Sequence, residues 1–287
     1  MPSLIDLRSR IKSVSNTRQI TRAMKTVSTA KFKKAQRSVL EGRPNWHNLP
    51  GLLERVSSWA GRQVSPLLEQ REERKIDALI ITSDKGLCGA FNSNLLARAG
   101  EFLETKAQQA EVSLALVGKK AVHFFRKSRF PVLYAYAGKL DKLSLDDLKE
   151  IARHLMRRYV FAQTDAVYMV YNEFKSILAP RITVTRILPV PEPEDEETTA
   201  LLTPDWEPEA ERLLGSLLPL YVETQVAHGF FESLAAEQAA RMMAMENATR
   251  NAGELINDLT LVMNKFRQSS ITKELLEIMT AVEALAK

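Results

Sequence analysis

The chain has 287 residues, 45% hydrophobic and 26% charged, with a net charge of +5 and a pI near 9.2. That composition describes a folded protein of one large domain or two smaller ones, with a weak preference for an acidic partner. One cysteine, Cys88, excludes an internal disulfide and a cysteine-built zinc site, and the lack of an apolar run of about 18 residues predicts no membrane span.

The opening MPSLIDLRSR has no apolar h-region, so it reads as mature structure rather than a secretory signal or transit peptide. Residues 3–41 hold no proline and no glycine. Ser3 or Asp6 can cap a helix there, and Leu4, Leu7, Ile11 and Val14 repeat at helical spacing. The apolar phase then shifts by one step at Ile20, Met24 and Val27 and returns at Phe32, Ala35 and Val39. Such a shift changes supercoil winding locally. A helix ending near Glu41 would be roughly 55–60 Å long. Its charge is lopsided: eleven basic residues against the two acids Asp6 and Glu41 between Met1 and Arg43. A solvated face is one reading. Like charges at i,i+4 spacing oppose each other, so acidic surfaces or phosphates nearby are the other.

Residues 42–75 are punctuated by Gly42, Pro44, Pro50, Gly51, Gly61 and Pro66, with Leu52, Leu53, Val56 and Trp59 able to continue a helix. From Ile76 the pattern changes. Apolar runs at 76–82, 112–117, 130–136, 165–171 and 181–188 predict strands. Helices are predicted between them: one capped by Asn92 or Ser93, one over 119–127, and one over 144–161 with Ser144 and Asp147 forming a capping box. Strands alternating with helices give an α/β domain, Rossmann-like, with a largely parallel five-stranded sheet.

The stretch Ser83-Asp-Lys-Gly-Leu-Cys-Gly89 follows a strand and precedes a helix, as phosphate loops do. It matches neither glycine-rich phosphate motif, and reads as a tight turn with Cys88 as a small buried residue. His47, His123, His154 and His228 are scattered without metal-ligand spacing. Glu192 to Glu197 form an acidic surface loop, and Pro204, Pro208 and Pro219 mark re-entry into a helix.

Leu220 to Lys287 contain no proline and only Gly229 and Gly253. Met245, Ala248, Ala252, Leu255, Leu259, Val262 and Phe266 repeat at 3-4 spacing, an a/d seam. One continuous helix here would run roughly 100 Å. It must project from its domain and needs a partner, for which the first helix is the obvious choice. The expected organisation is a coiled-coil helix over 1–60, an α/β domain over 75–190 and a second coiled-coil helix over 208–287.

These residues carry a resemblance. Ile20-Thr-Arg-Ala-Met-Lys25, Ser83 through Asn94, Glu237-Gln-Ala-Ala-Arg-Met242, Asn247-Ala-Thr249 and Ile271-Thr-Lys-Glu-Leu-Leu-Glu277 resemble the gamma subunit family of F-type ATP synthases, over the whole length. The family's Gly-Ala pair near the C-terminal tip is here Ala281-Val282.

The resemblance implies a rotating central shaft with no cofactor and no catalysis of its own. It would lie inside a hexameric ring of α and β subunits whose β subunits carry the nucleotide chemistry. Met24, Lys25, Arg241, Gln268, Thr272 and Glu274 match the family's ring contacts. Trp206 and Glu207 match the foot that meets the membrane c-ring, and the α/β domain would meet the epsilon subunit. The basic first helix would face an acidic element of β. The absence of the chloroplast dithiol insert implies a bacterial protein, peripheral at the cytoplasmic face of the inner membrane. Two other readings stay open. A nucleic-acid-binding coiled coil would use the basic helix, which has one aromatic, Phe32, and no groove-reading motif. An α/β enzyme lacks any acid–base or nucleophile constellation.

Overall fold

The computed structural model describes residues 4–60, 65–138, 140, 143–176, 181–191 and 210–285. The chain divides into two compact units, Met1–Ser28 with Arg241–Lys287, and Thr29–Ala240.

The second unit is built on a five-stranded sheet. Its strands are β1 (Lys75–Ile81), β2 (Glu111–Val117), β3 (Val132–Tyr136), β4 (Ala166–Glu173) and β5 (Arg181–Leu188), in the order β3-β2-β1-β4-β5. The first four run parallel and β5 is antiparallel to β4. The expected largely parallel sheet is therefore present, with an antiparallel edge. Three helices make the crossovers: α2 (Phe91–Lys106), α3 (Lys119–Phe125) and α4 (Leu145–Val160).

Two hydrophobic layers follow from strand alternation. Ile76, Ala78 and Ile80 of β1 pack with α2 and α3, through Leu95, Leu103, Ala121 and Phe125. Leu79 and Ile81 point the other way, onto Leu148, Ile151 and Leu155 of α4. The same layer takes in parts of the two long helices, α1 (Leu4–Ala60) and α5 (Ala210–Leu285). Asp77 also faces this layer, where Arg158 of α4 binds its carboxylate at 2.7 and 3.3 Å. Burial nevertheless outweighs the guanidinium, and holds the Asp77 carboxyl above its usual range.

Ser144 caps α4 with the expected box: its hydroxyl accepts from Asp147 N–H, and the Asp147 carboxylate accepts from Ser144 N–H. Helix α2 differs. It starts at Phe91, with Ala90 at the N-cap and no side-chain cap. Asn92 is committed elsewhere, its Oδ1 accepting from Ser83 N–H at 3.1 Å.

Both long helices extend past the expected breaks. Helix α1 runs through Pro44 and Pro50, and α5 begins before Pro219. An interior proline costs about 3 kcal/mol. Packing overrides it: Leu53 and Val56 lie beyond the prolines of α1, and Leu214 and Leu218 precede Pro219, all buried in the same core. Each such side chain contributes about 1.5–3 kcal/mol.

Two positions in this unit carry sharp stability expectations. Gly118 follows β2 at φ +100, and a Cβ there would sit 2.5 Å from the Thr82 carbonyl oxygen. Gly118→Ala meets both a backbone penalty and a clash, so we expect a loss of about 2–3 kcal/mol in denaturant titrations. Tyr171 on β4 is buried, and burial, then Glu173 and Glu232, push its hydroxyl from 10.0 up to about 12. Its stabilising difference is whole below pH 10. The unfolded chain ionises first as pH rises, so about 2–3 kcal/mol is lost between about pH 10 and 12. Tyr171→Phe should flatten that part of the pH–stability curve.

Candidate functional site

The first unit pairs the start of α1 with the C-terminal stretch of α5. On α1 the inner stripe is Leu4, Leu7, Ile11, Val14, Thr21, Lys25 and Ser28, all buried or half-buried. The stripe keeps one 3-4 phase. Ile20 and Val27, taken from the sequence as the shifted seam, are 60% and 57% exposed. Polar residues hold the seam where the apolar ones left it.

On α5 the inner line is Met245, Thr249, Ala252, Ile256, Leu259, Met263 and Phe266. This corrects the expected seam at alternate positions. Leu255 and Val262 are 46% and 49% exposed, so both lie off the inner line. A seam step of three or four residues is a choice of about 100° on a helix of 3.6 residues per turn, and the partner decides it. Here the partner offers a hydroxyl. Thr249 Oγ1 meets Thr21 Oγ1 at 2.8 Å, and each lies within reach of its own helix, at Met245 O (2.7 Å) and Arg18 O (3.0 Å). One proton bridges the helices and the other returns to a carbonyl. One turn away, Lys25 forms an ion pair with Glu246.

Of the expected ring-contact residues, Met24 and Lys25 lie half-buried on α1, and Arg241 is buried on α5. Gln268, Thr272 and Glu274 are exposed on the last stretch of α5, where the Thr272 hydroxyl donates to Gln268 O at 3.0 Å. Trp206 and Glu207 lie outside the described residues. Around Gln268–Glu274 the helix exposes Ile271, Leu275, Leu276, Ile278, Met279 and Val282. Glu246, Thr21 and Thr249 were missed as partners across the seam. Thr21 and Thr249 lie within stretches that carry the family resemblance, and all three are polar residues at helical spacing along the two helices.

In the second unit the 83–89 loop is a structural knot. Asp84 Oδ1 accepts from Lys119 N–H and Gly138 N–H at 2.9 Å each, and Oδ2 accepts from Leu140 N–H at 3.1 Å. One carboxylate thus ties together the loops that follow β1, β2 and β3. Asn92 Nδ2 donates to Ser83 Oγ (2.8 Å) and Cys88 Sγ (3.1 Å), and Cys88 is buried. Open α/β sheets bind ligands beyond the strand ends where the order reverses, here between β1 and β4. That place is filled by protein: Cys88, Phe91 and Phe174 pack against Ala236 and Ala240 of α5. Phe174 N–H is bonded by Glu232 of the same helix at 2.8 Å.

A protein-family model described as ATP synthase matches residues 3–285. The ATP synthase gamma chain of Pelotomaculum thermopropionicum is 44% identical over 285 residues, covering 99% of this chain and 100% of that one. That of Desulforudis audaxviator is 42% identical over 297 residues, at 99% and 100% coverage. The chain belongs to the ATP synthase gamma chain family. Solved structures agree at the level of fold. A chain of the Euglena gracilis mitochondrial ATP synthase, in an OSCP/F1/c-ring assembly, superposes with a TM-score of 0.66 at 19% identity, over 98% of this chain and 94% of that one. One from the central stalk and c-ring of the Tetrahymena thermophila mitochondrial enzyme gives 0.61 at 24% identity, over 80% and 99%.

Proposed function

We propose that this chain is the rotating central shaft of an F-type ATP synthase. It would couple ion flow through a membrane c-ring to nucleotide chemistry on the β subunits of a hexameric ring. The observation that carries the reading is full-length similarity to gamma chains, from residue 3 to residue 285. The faces of the paired helices fit the role. α1 turns Arg8, Arg10, Lys12, Arg18 and Arg22 outward, while the end of α5 turns out Ile271, Leu275, Ile278 and Val282. A shaft with chemically different sides meets three equivalent β subunits differently, and so biases their conformations differently at each angle.

In this reading the helical segments 1–60 and 208–287 make the shaft and its base, and 75–190 the outer domain. Met24, Lys25, Arg241, Gln268, Thr272 and Glu274 meet the ring, while Trp206 and Glu207 meet the c-ring. The epsilon subunit docks on the outer domain. Among the described residues no helix is long and apolar enough to cross a membrane, which suits a peripheral subunit held at the bacterial cytoplasmic face through the c-ring. The chain itself is non-catalytic, with the sheet's switch point occupied by Cys88, Phe91 and Ala236.

The test is co-expression with the α and β subunits of Pelotomaculum thermopropionicum. We expect a stable complex with ATPase activity, and no turnover by the pure chain. Failure to co-purify with the ring, or ATPase of the pure chain lost on Asp84→Asn, would overturn the reading.

A further inference from the structure

The sheet has two edges, and they are unlike. β5 carries Arg181 and Arg186 together with Thr183 and Thr185, the charged and polar residues that protect an edge. β3 carries none. Residues 131–138 read Pro-Val-Leu-Tyr-Ala-Tyr-Ala-Gly, without a single charge. Pro131, Val132, Leu133, Ala135 and Ala137 are all exposed, Val132 to 45%.

The backbone of this strand is half used. Leu114, Leu116 and Gly118 bond toward it, with Leu114 N–H donating to Pro131 O and Gly118 N–H to Tyr136 O, both at 2.8 Å. In a parallel pair the residue opposite each such position turns its own N–H and C=O away. Val132 is opposite Leu114 and Ala135 is opposite Leu116, and Ala137 continues the alternation. Among the described residues no strand pairs with that outer side. An exposed apolar edge with open backbone groups templates strand addition.

The surroundings set the sign of the partner. From residue 112 to 138 the chain has five basic residues, Lys119, Lys120, Arg126, Lys127 and Arg129, and no acid. All five are exposed, on or just after α3, the helix that leads into β3. Arg129 is paired with Glu104. Lys120 reaches back to Gly86 in the loop after β1, away from this edge. Among the described residues no ion pair holds Lys119, Arg126 or Lys127. The opposite face, beside α4, is mixed, since Asp147 and Glu150 lie near Tyr134.

We infer that the outer edge of β3 takes up an extended segment of a neighbouring subunit as an additional strand, with acidic side chains at alternate positions facing α3. Backbone bonds to Val132, Ala135 and Ala137 supply affinity, and Lys119, Arg126 and Lys127 supply charge selection. The inference rests on the shaft reading, because the neighbour is a subunit of the same complex.

The test compares amide exchange in the free chain with that in the assembled ATP synthase containing it. In the free chain the Val132, Ala135 and Ala137 amides should exchange freely, and in the complex they should slow by about 100-fold or more. Ala135→Pro removes an outward donor and no bond to β2, so the free chain's melting curve should hold while the neighbour's affinity falls at least tenfold. Arg126→Glu with Lys127→Glu should weaken the same association, most at low salt. Entry into the complex with these three amides exchanging at the free rate overturns this inference and leaves the shaft reading standing. Protection that anionic phosphatidylglycerol vesicles reproduce in the free chain, with no change on Ala135→Pro, also overturns it, in favour of a lipid surface. Failure to enter the complex at all overturns both.

Discussion

Ala252→Asp will destabilise the paired helices of the first unit by about 3–5 kcal/mol, because it leaves an unpaired carboxylate between α5 and α1. Ala252 is buried on the inner line, midway between Thr249 and Ile256. Leu255→Asp, three residues on, should stay within about 0.5 kcal/mol, since that side chain already faces water. Ile256→Asp and Leu259→Asp, half-buried, should fall between. Urea unfolding of the free chain followed at 222 nm measures the series. Because helix signal dominates there, loss of this unit would appear as an early transition. Equal costs at 252 and 255 would mean that the seam runs through Leu255 and that the hydroxyl pair does not set its register.

The sheet was legible because buried parallel strands write themselves as uninterrupted apolar runs. Ile76-Asp-Ala-Leu-Ile-Ile became β1, and Arg181–Leu188 matched β5 at both ends. The capping box of α4 was legible because both partners lie within one turn. Helix ends were not. Local chemistry at Pro44 and Pro219 argues for a break, while the burial that outweighs it comes from strands and helices far away in sequence. The seam failed for a related reason. Counting apolar residues picked out Ile20 and Val27 on α1 and Leu255 on α5, whereas the helices meet through Thr21, Ser28 and Thr249. An apolar residue on one of two paired helices need not face the other.

The 83–89 loop shows the same division. From the sequence it reads as a tight turn, because it matches neither glycine-rich phosphate motif. Its positive role could not be read, because Asp84 acts on amides at 119, 138 and 140, brought to it only by the parallel strands. The pairing of Lys25 with Glu246 could not be read either, because it needed the two helices side by side. That pairing also changes what a mutation at Lys25 removes: an exposed ion pair worth about 0.2–1 kcal/mol to the paired helices, besides any charge offered to a partner.

The last expectation separates those two roles. If the basic face of α1 acts on an acidic element of β, it acts collectively, and Lys25→Ala alone should change little. Reversing Arg18, Arg22 and Lys25 together to Glu puts like charges on both sides of that contact. Arg18 and Arg22 are exposed, so their reversal costs the paired helices little. Lys25→Glu sets two carboxylates together with Glu246, and Glu246→Lys in the same chain restores an opposite pair there without restoring the outward charge. In this reading ATP-driven ion pumping should fall steeply in the triple variant, while ATPase of the ring stays near its starting rate. Raising salt should recover pumping, because the Debye length shrinks from about 10 Å at 0.1 M to about 3 Å at 1 M. If Glu246→Lys alone restores pumping, the defect lay inside the shaft. If pumping never falls, the basic residues are a solvated face. The proposal requires a third result: a defect that salt relieves and Glu246→Lys does not.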